Sequence, residues 1–182
     1  MRLLALLLSL LAWGTPYWDR GYLAPFLISE ETWRTPAPAL IIGNATFYSP
    51  GVMEAQVPYR GLSLDGYIDG VSLMSPSDIG KTVWIWRIGD TEWEGPFLNL
   101  DCSVRARTYT TVVHIGEVVE LGFETAERWG MAHHIAEPPY YVADDWRLDG
   151  VMVYIGETPP DLRYAMPVDY AAWFLRLVEE ER

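Results

Sequence analysis

The chain has one cysteine, Cys102, one lysine, Lys81, and three histidines among 182 residues. A single thiol cannot close an intramolecular disulfide, nor supply a structural zinc site that needs several thiolates. Cations are scarce as well: twelve arginines and the lone lysine face 25 acids, for a net charge of −12. That balance excludes a protein that tracks nucleic-acid phosphates. Long apolar runs are missing except at the start, and internal repeats and low-complexity stretches are absent. Rings, by contrast, are abundant, with nine Trp and eleven Tyr. Hydrophobic residues make up 50% of the chain, enough for a packed core and too many for wholesale disorder.

Met1-Arg2 followed by the apolar run Leu3 to Trp13 has the n-region and h-region of a secretory signal, and Ala12-Trp13-Gly14 places small residues for cleavage after Gly14. The run is about half the ~20 residues that span a bilayer, so the membrane is expected to be met only through this segment. The protein is therefore expected to be secreted or periplasmic. Removing residues 1–14 takes one arginine and no acid, moving the charge from −12 to −13.

Residues 15–40 mix Pro, aromatic and acidic positions without a period, which predicts an extended arm laid on the domain. From Ile41 short β-rich pieces follow: 45–48, 52–56, 67–74, 82–88, 92–100, 108–115 and 118–121, each bounded by Gly, Pro, Asp or Ser. Gly89-Asp90 reads as a hairpin turn. A short helix is expected at 123–129, ended by Gly130, and a strand pair near 140–142 and 151–155. An amphipathic helix over 168–182 carries Tyr170, Ala171, Phe174, Leu177 and Val178 on one stripe.

Four segments, in order, resemble the expansins and RlpA-like proteins. Ala45-Thr46-Phe47-Tyr48 is similar to their opening strand. Leu73 to Ile85, ending Ile79-Gly80-Lys81-Thr82-Val83-Trp84-Ile85, is similar to the segment they write as Leu-Gly-Thr before alternating apolar residues. Gly95 to Cys102 resembles their central strand ending in a functional Asp. Val118 to Gly122, with Ala126 and Trp129-Gly130, resembles their Asp-Leu-Ser turn into a short helix. The resemblance covers about 43–131 and implies a mainly β fold: a six-stranded double-psi β-barrel with a short internal helix, here with an N-terminal arm and a C-terminal helix. The expected division is signal 1–14, arm 15–40, barrel 41–136 and extension 137–182. Three departures stand out. Met74 replaces a family His, Glu120 replaces Asp, and residues 105–111 look inserted.

The resemblance implies Asp101 and Glu120 as catalytic carboxylates across a groove, one able to protonate a glycosidic oxygen. Thr46 and Tyr48 would offer hydrogen bonds and a ring face beside them, and Trp93, after the hairpin, an exposed ring for a sugar's C–H face. Trp84 and Trp86 share one side of their strand and read as core, whereas Trp146 reads as part of a flanking wrap. His133 and His134 beside Asp144-Asp145 do not make a metal site, because adjacent residues in extended chain point apart and no third ligand has suitable spacing. His114 reads as structural, and Cys102 as buried. No cofactor is expected. Three functions stay open: an exported lytic-transglycosylase-like enzyme acting on cell-wall glycan, with a polysaccharide such as peptidoglycan as partner; a non-catalytic, expansin-like carbohydrate-binding or wall-loosening module; and a structural or partner-binding exoprotein.

Overall fold

The computed structural model describes residues 35–36, 39–102 and 110–180; the expected signal, most of the arm and most of 105–111 lie outside them. Among the described residues nine strands form: β1 (Leu40–Phe47), β2 (Gly70–Leu73), β3 (Thr82–Arg87), β4 (Glu94–Cys102), β5 (Glu117–Leu121), β6 (Ala132–His134), β7 (Tyr141–Ala143), β8 (Leu148–Ile155) and β9 (Val168–Asp169). Pairing runs β5-β2-β4-β3-β8-β1, and β1 also pairs β5, so six strands close into a barrel. Closure leaves these strands no free edge. Two of the six barrel pairs, β1–β5 and β2–β4, are parallel and the other four are antiparallel, while β9 adds to β1 in parallel. Parallel partners cannot be joined by a tight hairpin, so longer connections link β1 to β5 and β2 to β4. The architecture is the mainly β barrel expected, with helix α2 (Phe123–Arg128) inside the chain and α3 (Tyr170–Glu180) near its end.

Val71, Leu73, Val83, Ile85, Phe97, Val119, Leu121, Val151 and Val153 fill the interior. On β3 the alternation places Val83 and Ile85 inside, so Trp84 and Trp86 cover the barrel's outer face instead of building its centre. A Cβ at Gly95, which has φ 149, would lie 2.7 Å from the Trp84 ring. This glycine is where the Trp84 indole closely approaches the backbone of the neighbouring strand.

Three sequence expectations change. Residues 52–56, expected as a strand, open the helix α1 (Val52–Arg60), set between left-handed Gly51 and Gly61. Met53 and Val57, four apart, share the face that packs against Leu98 and Leu100 of β4. That helical spacing had been read as alternation. Residues 110–115, expected within a strand, make a wide helical turn, with Val112 buried in the core. The strand that closes the barrel is β8, so the barrel reaches past residue 136 into the segment expected to be an extension. Among the described residues no helix is long and apolar enough to cross a membrane.

Candidate functional site

Two β-bulges set the site. Along β1 and β5 the partners run Asn44 with Glu117, then Ala45 with Val119, so Val118 is an extra residue on β5. In regular alternation Glu117 and Glu120, three apart, would face opposite sides; the inserted residue brings both to one side. On β4 the partners jump from Asn99 to Asp101, skipping Leu100, and Asp101 comes opposite Ser72. Ser72 is also opposite Glu120, and Glu120 opposite Thr46. Asp101, Ser72, Glu120 and Thr46 thus form one row across β4, β2, β5 and β1. Two strand spacings put the Asp101 and Glu120 backbones about 10 Å apart.

Tyr48 joins the two acids. Its ring packs on the Met53 cluster, and its hydroxyl lies 3.5 Å from Asp101 Oδ2 while also interacting with Glu120 and Ser72. Burial, and next the Glu120 charge, hold the Tyr48 phenol above its ordinary value, so it stays a donor. Arg60, at the last turn of α1, donates from Nη2 to Asp101 Oδ1 at 2.8 Å. This ion pair was hidden from a reading that made residues 52–56 a strand. Beside it, burial and then Asp101 push the Cys102 thiol up, partly offset by Arg60. A thiol so placed is a poor nucleophile.

Glu117 is the acid that sequence reasoning missed. It is 3% exposed, and its pKa is pushed up to about 8, first by burial and then by the Glu120 charge, with Thr46 opposing. Thr46 Oγ1 and Glu117 Oε1 are both buried, and the contact between Thr46 and the Glu117 carboxyl is what favours its charged form. The residues Thr46 and Glu117 border an open cleft of about 320 Å³ with Glu120, Tyr141 and Trp146. Tyr141 comes from the β6–β7 hairpin, where its hydroxyl meets Ser49 Oγ at 3.0 Å and its ring meets Phe123 edge-on. Trp146, expected in a flanking wrap, is 55% exposed on the cleft wall.

Trp93 is not brought to this place. It precedes β4, eight residues before Asp101, which is about 25 Å of extended strand. Its ring is half-buried against Trp86 and Tyr154, and its Nε1 donates to the Pro160 carbonyl at 3.0 Å. Met74, standing where the resembled family has His, is buried in the core. His133 Nδ1 lies 2.7 Å from Asp144 Oδ2 across the hairpin, and His134 sets its ring against Phe123. Among the described residues no three His, Cys, Asp or Glu gather as metal ligands.

A buried carboxylate outside the cleft holds the start of β2 to α2. Asp69 accepts from the Gly70 amide at 2.7 Å, the Thr125 amide at 3.1 Å and the Thr125 hydroxyl at 2.5 Å. Thr125 is the third residue of α2, so Asp69 caps that helix from a different segment. Gly122 leaves the room: a Cβ there would lie 2.4 Å from the carboxylate. The turn that follows Glu120 is thereby fixed to the start of β2.

No family model, curated protein or solved structure matches this chain.

Proposed function

We propose that the protein is an exported glycan-acting protein whose cleft on β1 and β5 engages a polysaccharide. The observation that carries this is the row Asp101–Ser72–Glu120–Thr46, running beneath Tyr48 and reaching a cleft walled by the Tyr141 and Trp146 rings. Sugars present hydroxyls and flat C–H faces together. Carboxylates and hydroxyls hold the first, and exposed rings take the second. The apolar start of the chain supports export.

A cleavage reading is favoured by one feature, the unlike acids Glu117 and Glu120. Glycosidic cleavage needs a carboxyl that is still protonated at the leaving oxygen and a second one that is ionised nearby. In this reading Glu117 takes the acid role first given to Asp101, because Asp101 is engaged by Arg60. Glu120 faces the sugar ring and steadies developing positive charge, or serves as base. Without turnover, the same cleft is a binding module.

Incubation with purified peptidoglycan and with cellulose, followed by sedimentation and mass analysis of soluble products, tests this. Co-sedimentation with either polymer, weakened in Glu120→Gln, is the expected result. Soluble fragments that disappear in Glu117→Gln would establish cleavage. Neither sedimentation nor products would overturn the proposal.

A further inference from the structure

We propose that Tyr59 is a second ring platform of the glycan site, at the Asp101 end of the row, and that the site takes a run of several sugars reaching from Tyr59 to Trp146. The inference rests on the glycan reading above and narrows its substrate to chains longer than a disaccharide.

Three observations carry it. First, Tyr59, in the last turn of α1, is 76% exposed. Exposure alone needs no explanation. Second, this ring is tied to the row: the Arg60 guanidinium carbon lies 5.1 Å from the centre of the Tyr59 ring, and the same guanidinium donates to Asp101 Oδ1 at 2.8 Å. Asp101 fixes the arginine, and the arginine steadies the ring by a cation–π contact. A ring placed before the ligand arrives loses less freedom on binding. Third, the arrangement recurs at the other end, where the Arg147 guanidinium sits 5.9 Å from the centre of the Trp146 ring and Trp146 walls the cleft beside Thr46. Two exposed rings, each with a guanidinium against it, thus bracket the row that starts at Asp101 and ends at Thr46.

The spacing sets the length of the ligand. The Asp101 and Glu120 backbones stand two strand spacings apart, about 10 Å, with Tyr59 beside the first acid and Trp146 beside the second. A pyranose advances an extended chain by roughly one strand spacing, so a chain that touches both rings has about four sugars or more. Its end sugars lay their C–H faces on the rings, and the hydroxyls between them meet Asp101 and the Tyr48 phenol. A third exposed ring with an arginine against it, Tyr164 beside Arg163, supplies the contrast. Arg163 is held by Asp161, two residues away, which ties Tyr164 to its own loop instead of to the row. The link to Asp101 is what singles out Tyr59.

The test titrates the full chain calorimetrically with β-1,4-linked glucose oligomers and β-1,4-linked N-acetylglucosamine oligomers, each series running from dimer to hexamer. In at least one series the hexamer is expected to bind about tenfold or more tightly than the dimer. Tyr59→Ala should lower hexamer affinity about tenfold, the worth of one well-placed ring contact, and leave the dimer unchanged. Tyr59→Phe keeps the ring and should restore the hexamer. Trp146→Ala should weaken both lengths, because the cleft is where the short chain binds, and Tyr164→Ala should weaken neither. Hexamer affinity unchanged in Tyr59→Ala, or lowered equally in Tyr164→Ala, overturns the proposal; binding that still needs Trp146 then leaves the glycan reading standing. Equal binding of dimer and hexamer overturns it as well, since a site for one or two sugars has no use for a second platform. If no oligomer binds, the proposal falls, and the polymer sedimentation experiment decides the glycan reading separately.

Discussion

Replacing Glu117 with Gln should make the protein more resistant to alkali by an amount the structure sets. In the folded chain this carboxyl titrates near 8 against an ordinary value of 4.5, because burial and Glu120 disfavour its charge. The folded state therefore binds the proton more tightly than the unfolded state does. Below about pH 4.5 Glu117 is neutral in both states and costs nothing. As pH rises the unfolded state ionises first, so stability falls until the folded group also ionises near pH 8, and then levels off. At about 1.4 kcal/mol per tenfold, the full loss is about 5 kcal/mol, of which about 3 kcal/mol is expressed by pH 7. Gln has nearly the same size and never charges. Any change in its own hydrogen bonding is constant with pH, so the difference between the two proteins isolates the titration. Urea unfolding of both proteins at half-unit steps from pH 4.5 to 9 measures it. The variant should gain on the natural protein by about 4 kcal/mol between pH 5 and pH 9. Parallel stability curves across that range would refute the buried, charge-opposed carboxyl. Glu120→Gln should shrink the pH-dependent loss, because it removes the like charge and leaves the burial.

Asp69→Ala should cost about 3 kcal/mol in urea unfolding, since it strands the amide and hydroxyl of Thr125 at the start of α2; a loss below about 0.5 kcal/mol would show that water replaces the cap. Gly95→Ala should destabilise by about 2 kcal/mol or more and shift tryptophan fluorescence, because the new methyl meets the Trp84 ring on a backbone of positive φ. A double-mutant cycle on Arg60→Met and Asp101→Asn should give a coupling of about 1 kcal/mol, falling with salt, as both side chains are partly exposed; no coupling would mean that α1 is placed by Met53 alone. Tyr48→Phe should remove one late-titrating phenol from an absorbance titration, and Tyr170→Phe another, since burial raises both.

The barrel was legible because its strands alternate over short, well-bounded pieces, and a period of two survives in 83–85 and 119–121 whatever packs around them. What failed has a common physical cause: pairing partners are not written in local sequence. The two bulges are single-residue slips against another strand, invisible until β1 meets β5 and β2 meets β4. Without the slip at Val118, Glu117 belongs on the opposite face from Glu120, and a reading by alternation discards it. The same blindness exchanged two indoles. Trp93 looked available because it follows a turn, but Trp86, Tyr154 and the Pro160 carbonyl occupy it. Trp146 looked peripheral, and the β6–β7 hairpin sets it beside the acids. The row itself was half visible, since Asp101, Glu120, Thr46 and Tyr48 came from the ends of strands that the sequence did mark. Its missing half, Arg60, Ser72 and Glu117, lies on helix α1 and at the bulged registers. In a closed barrel with two parallel pairs, chemistry collects where register is irregular, because a bulge is what lets neighbouring carboxyls share a face that alternation would divide between them.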